Sequence, residues 1–124
     1  DRDVWGESME PWLTMRDALR SDPSAYRFLD AAQLVKHAFG LVTEAGRINR
    51  SPVLVYLYAE PSRVAASACS AHRAEIEVFS AAVRGARVRF AAVSWSDWLK
   101  RFDTTAVSSG VRAHAEALRC KFEP

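Results

Sequence analysis

With 124 residues, 49% of them hydrophobic and 26% charged, the chain has the composition of an ordinary globular domain and the length for one moderate core. Its net charge of +2 is too small to imply a nucleic-acid partner by itself, and no apolar run approaches the roughly 20 residues that span a bilayer, so no membrane partner is expected. Cys69 and Cys120 stand alone, without CxxC or Cys/His spacing, which argues against a structural zinc site and against a disulfide framework.

The opening residues, Asp1-Arg2-Asp3-Val4-Trp5-Gly6, do not resemble a signal peptide, so a reducing, cytoplasmic setting is expected. The chain also begins without Met. It reads as one domain over residues 1–124, or as the C-terminal part of a domain with further strands upstream. All basic residues except Lys36, Lys100 and Lys121 are Arg. That bias suits bidentate oxyanion recognition, but an Ala- and Arg-rich, high-GC genome produces the same bias.

Glu10 to Arg20 predicts a first short helix carrying Trp12, Leu13, Met15 and Leu19, with Pro11 near its start, where Pro is tolerated. Ser21-Asp22-Pro23-Ser24 is a turn in which Asp22 is a candidate cap and Pro23 a candidate first helical residue. Tyr26 to Leu29 either begins the next helix or forms a separate turn, and Asp30 is a second candidate cap. From Ala31 to about Ala45, the residues Ala31, Leu34, Val35, Ala38, Leu41 and Val42 follow the three-four spacing of a buried helix stripe, with Gly46 as the stop. Val53 to Ala59 is continuously apolar, which predicts a strand covered on both faces by helices.

Ser62 to Ser70 reads as a loop or helical lead-in, and Ala71 to Arg84 as a helix closed by Gly85. Arg87 to Val93 alternates as a strand. Strand, helix and strand in about 40 residues make one crossover unit, expected to be right-handed with its strands parallel. A short helix with Trp98, Leu99 and Phe102 follows, and Val111, Ala115, Leu118 and Phe122 mark a last amphipathic helix. Asp103-Thr104-Thr105 and Ser108-Ser109-Gly110 read as capping and turn chemistry. The class is therefore α/β, a mixed sheet flanked by helices. Two strands make a small sheet, so further strands or a homodimer are expected to complete it.

Gln33 and His37 lie four apart and share one helix face, a line that continues to Gly40 and Glu44. A Gln amide donates to phosphate or holds a metal-bound water, and His donates to phosphate or moves a proton. The competing reading is a polar pair at the edge of the core, bonded to neighbouring backbone. Glu60, at the carboxyl end of the central strand, occupies a place where α/β sheets commonly carry site residues, and equally reads as a cap or a solvent-facing carboxylate. Arg47 and Arg50 beside Asn49 are candidate phosphate contacts or a solvated loop. His72, Arg73, Glu75 and Glu77 read as an ordinary charged helix face. Trp95 and Trp98 are candidates for an interface anchor or for packing at the sheet edge.

Gln33-Leu34-Val35-Lys36-His37 on a helix, followed by the strand Val53 to Ala59, resembles the Gln-x-x-x-Tyr/His element of the PD-(D/E)XK nuclease superfamily. The later helix with His72-Arg73-Ala74-Glu75-Ile76 and the strand Val88 to Trp95 are similar to the C-terminal half of restriction-endonuclease-like proteins. The resemblance spans about residues 26–102. It implies a restriction-endonuclease-like fold and a nucleic-acid partner, with DNA favoured over RNA. It also implies phosphodiester hydrolysis with Mg²⁺, provided that an upstream motif supplies the carboxylates. Gln33 and His37 would then orient phosphate or water, with Lys36, Arg47 and Arg50 as backbone contacts. That chemistry needs an Asp and a Glu-x-Lys pair on adjacent strands. None of the three lysines here follows an acid at that spacing on a strand, and no metal ligand is assigned. The alternative is a non-catalytic α/β interaction or dimerisation domain.

Overall fold

Two six-residue strands and the helix between them organise the molecule. The computed structural model describes residue 5, residues 7–104 and residues 108–122. A 3₁₀ turn, Glu7–Met9, leads into α1 (Glu10–Ser21). Then come α2 (Ala31–Ile48), β1 (Val53–Tyr58), α3 (Ala66–Ala82), β2 (Arg89–Ser94), α4 (Trp95–Thr104) and α5 (Ser109–Phe122). Thr105 and the side chains of Asp103, Thr104 and Phe122 lie outside the described residues, as do residues 1–4 and Gly6 of the opening segment.

The helix boundaries follow from local chemistry. The turn after α1 is held by the Asp22 carboxylate, which accepts from the Ser24 N–H at 3.1 Å and its hydroxyl at 2.7 Å. Pro23 therefore belongs to a turn and does not start a helix, and Tyr26 to Leu29 is irregular. α2 begins at Asp30, whose carboxylate accepts from the Gln33 N–H at 3.1 Å as an N-cap. Ala31, Leu34, Val35, Ala38, Val42 and Ala45 form its buried stripe. Gly46 does not end this helix. Asn49 does, in the left-handed region at φ 50°, with its backbone N–H returned to the Ala45 carbonyl, a conformation that Asn tolerates better than most residues. α3 starts five residues before the expected Ala71, and Gly85 turns the chain after it at φ 80°.

β1 and β2 pair in parallel, in register from Val53↔Arg89 to Tyr58↔Ser94. The α/β class and the parallel strand-helix-strand crossover are as expected. The mixed sheet with helices on both sides is not: among the described residues the sheet has two strands, both parallel. Leu54, Tyr56, Tyr58, Phe90 and Ala92 pack against the core. Val53 and Val55 on the opposite face are 40% and 57% exposed, and Arg89 and Ala91 are exposed beside them. An uninterrupted apolar run does not distinguish a strand covered twice from one covered once.

The core joins Trp12 of α1, Leu34 and Ala38 of α2, Phe79 of α3 and Phe90 of β2. The Trp12 and Phe79 rings meet edge-on at 5.7 Å, and Phe79 and Phe90 at 5.0 Å. The Trp12 indole N–H donates to the Val88 carbonyl at 2.9 Å, and the Arg87 N–H donates to the Ser8 carbonyl at 2.7 Å. Those bonds explain why β2 starts at Arg89, two residues later than its alternation suggests. The backbone of Arg87 and Val88 is engaged by the first helix and its lead-in instead of by β1.

Trp12 is fully buried, so Trp12→Phe keeps most of its apolar body and leaves the Val88 carbonyl unpaired. The expected cost is about 1–3 kcal/mol in urea unfolding, against about 3–5 kcal/mol for Phe79→Ala, which opens a cavity. A Trp12→Phe variant as stable as the parent would show that the hydrogen bond fixes nothing.

Candidate functional site

The structure places the polar residues of α2 on its outer face. Gln33, Lys36, His37 and Gly40 are exposed, and the line runs on through Glu44 and Arg47. The core-edge reading of Gln33 and His37 required bonds to neighbouring backbone. Neither side chain has a hydrogen-bond partner among the described residues, and Lys36 has no ion pair there. Gly40 leaves a gap in this face, since a Cβ there would meet no atom within 4 Å. Arg47 is held by Glu44 at 2.9 Å, one helical turn back along its own helix, while Arg50 is exposed beyond the helix end. The structure thus groups Gln33, Lys36 and His37, and gives Arg47 an intrahelical partner.

A second constellation forms at the carboxyl end of β1. Tyr56 and Tyr58 are two apart on the strand, so both point inward towards α3. Their rings stack at 5.7 Å with 21° between planes. His72 of α3 stands edge-on to both, and its Nε2 is hydrogen bonded to the Tyr56 hydroxyl at 2.9 Å. Burial first, then Tyr58 and Asp30, raise the Tyr56 pKa; burial, then Glu60, raise that of Tyr58 against the opposing pull of Arg73. Both phenols therefore remain protonated at neutral pH. Around them lies a hollow of about 320 Å³ lined by Phe28, Tyr56, Tyr58, Val64, Cys69 and His72.

The helix face read as ordinary is therefore engaged at three positions. Glu60 receives the Arg73 guanidinium through two hydrogen bonds, one of them from Nε to Oε1 at 2.7 Å. That bidentate bond is the main cause holding the Glu60 carboxyl below its usual range, and it raises Arg73 in return. Glu75 accepts the consecutive backbone N–H groups of Arg27, Phe28 and Leu29 at 2.7, 2.8 and 2.8 Å. Desolvation works to raise Glu75, but the three donors together outweigh it, and the carboxyl is held below its ordinary value. Sequence reasoning missed Tyr56, Tyr58, His72, Arg73 and Glu75. The one local signal was a pair of tyrosines at i, i+2 in a strand whose other residues are aliphatic.

Among the described residues no three or more His, Cys, Asp or Glu side chains gather where they could hold a metal ion. The Mg²⁺ that the nuclease resemblance implies is tied to carboxylates of an upstream motif, and Mg²⁺ itself commonly needs only one or two carboxylates beside water and phosphate. Among the described residues, too, no helix is long and apolar enough to cross a membrane.

A carboxyl whose pKa is lowered by folding stabilises the fold above its unfolded pKa and loses that contribution as pH falls through the folded one. Glu75→Gln is expected to cost about 1–3 kcal/mol near pH 7. The gap between variant and parent should close as the pH falls below about 4. A gap independent of pH in chemical unfolding would show that the charge on Glu75 is not what holds the Arg27–Leu29 amides. In comparisons with known proteins, no family model, no curated protein and no solved structure matches this chain.

Proposed function

We propose that the chain is a nucleic-acid-associated domain of the PD-(D/E)XK nuclease type, contacting the phosphodiester backbone through the outer face of α2. The observation that carries this reading is the exposure of Gln33, Lys36 and His37 together on a helix whose opposite face is core, with the gap of Gly40 beside them. A Gln amide, an ammonium and an imidazole in one line present donors suited to phosphate oxygens. The restriction-endonuclease-like fold and a preference for DNA belong to the same proposal. Hydrolysis of that type needs an Asp and a Glu-x-Lys pair from an upstream motif, with Gln33 and His37 orienting phosphate or water.

The test is Mg²⁺-dependent cleavage and duplex binding by the full natural protein. Gln33→Ala combined with His37→Ala is expected to abolish cleavage. Lys36→Ala should weaken duplex binding and flatten the slope of log affinity against log salt by about 0.9. A protein inert with Mg²⁺ and Mn²⁺, whose duplex affinity ignores all three substitutions, would sink the reading.

The second reading, a non-catalytic interaction or dimerisation domain, is favoured by the open face of the sheet at Val53 and Val55. Exposed β-branched side chains beside strand edges that are unpaired among the described residues suit strand addition by a second copy. On that reading Val55→Lys lowers the molecular mass measured by light scattering at high protein concentration. An unchanged monomer in both proteins counts against it.

A further inference from the structure

We propose that the hollow between Phe28, Tyr56, Tyr58 and His72 receives an unpaired nucleobase of a single nucleic-acid strand. The inference rests on the proposed nucleic-acid reading and extends it to the form of the substrate. The ring geometry carries it. Tyr56 and Tyr58 lie nearly parallel, with 21° between their planes, so their faces are roughly aligned. His72 is edge-on to both rings, at 80° and 90°. Phe28 and Val64, each 42% exposed, also line the hollow, so two large apolar side chains are left to water at one spot. The volume of about 320 Å³ lies in the range of ligand pockets and admits a flat heterocycle.

The polar groups agree with that occupant. The Tyr58 hydroxyl has no hydrogen-bond partner among the described residues and remains a protonated donor for a base edge. The carboxylates near the rings are all engaged: Glu60 by Arg73, Glu75 by three backbone amides, Asp30 by the Gln33 backbone N–H, and Asp97 by Lys100 at 3.5 Å. Beside the hollow, Arg27 and Arg63 have no acidic partner among the described residues. The Arg27 guanidinium lies 5.4 Å over the Phe28 ring. Arg63 lines an adjoining cleft of about 600 Å³ that shares Val64 and Cys69 with the hollow. Flanking phosphates therefore meet cations as the base meets rings, the pairing by which single strands are held. A base inside a duplex has both faces covered, so the strand must be unpaired there.

The experiment uses the full natural protein and fluorescence anisotropy with labelled dT12, a 12-mer of the same backbone carrying abasic sites, and a 12-base-pair duplex. The expected result is binding of dT12 about tenfold tighter than the abasic strand. That ratio should fall towards one in Tyr58→Ala and in the rim variant Phe28→Ser, each checked for native circular dichroism. Equal binding of dT12 and the abasic strand overturns the base hollow and leaves the α2 backbone reading standing. Binding of the duplex alone does the same. Failure of all three ligands to bind overturns both. Free dTMP that competes as well as dT12, mole for mole, moves the site to free nucleotides and overturns the strand. Choline that quenches tyrosine fluorescence, with no preference for dT12, overturns the base in favour of a cation.

Discussion

The register of one parallel strand pair decides which side chains this protein can use. Because strand side chains alternate, pairing Val53 with Arg89 and Tyr58 with Ser94 sends Leu54, Tyr56 and Tyr58 inward and leaves Val53 and Val55 outside. A slip of one residue would put both tyrosines in water and both valines against α3. Two strands of six residues do not hold a register alone. The Trp12 indole on the Val88 carbonyl and the Ser8 carbonyl on the Arg87 N–H fix the chain just before β2 enters the pair. The first helix thus specifies the phase of a strand that begins nearly 80 residues later.

The irregular segment between α1 and α2 is ordered by a comparable device. Residues 26–29 have no regular hydrogen-bond ladder, and buried or half-buried backbone donors without partners are costly. Glu75 supplies a carboxylate to three of them in succession, from a helix 46 to 48 residues further on. The same contact sets Leu29 into the core and leaves Phe28 over the hollow beside Tyr56. Because Glu75 lies one helical turn from His72 and near Arg73, α3 both positions that segment and closes the tyrosine cluster.

What could be read in the sequence was what depends on neighbours in the chain. The stripe of α2, its Asp30 cap, the crossover and the Gly85 turn are all local patterns, and the structure carries each of them. Gly46 alone reads as the stop of α2, and the helix instead runs three residues further, to Asn49 in the left-handed region. Long-range contacts were not legible. Nothing near Glu75 in sequence says that its partners are the amides of Arg27 to Leu29, and nothing near His72 points to Tyr56. A charged helix face reads as solvated unless the opposing surface is known, and here that surface is a strand and a loop earlier in the chain. The open face of β1 failed for a related reason, since Val53 to Ala59 is apolar on both sides whether or not anything covers both.

The outer face of α2, which the sequence offered, and the tyrosine hollow, which it did not, are neighbours in the fold. Asp30, the cap of α2, binds the Gln33 N–H and lies close enough to Tyr56 for its charge to help raise that phenol. Phe28, two residues before the cap, belongs to the hollow, and Gln33, three residues after it, begins the polar line to Lys36 and His37. A helix N-terminus also offers unpaired N–H groups and the positive end of the helix dipole, which favours anions over cations at that point. Asp30 occupies part of that end, so a polyanion approaching it meets one carboxylate first and the side-chain donors of Gln33, Lys36 and His37 beyond it. On the proposed nucleic-acid reading, the capping that starts the helix therefore moves the favourable surface for a phosphate chain away from the helix end and along its exposed face.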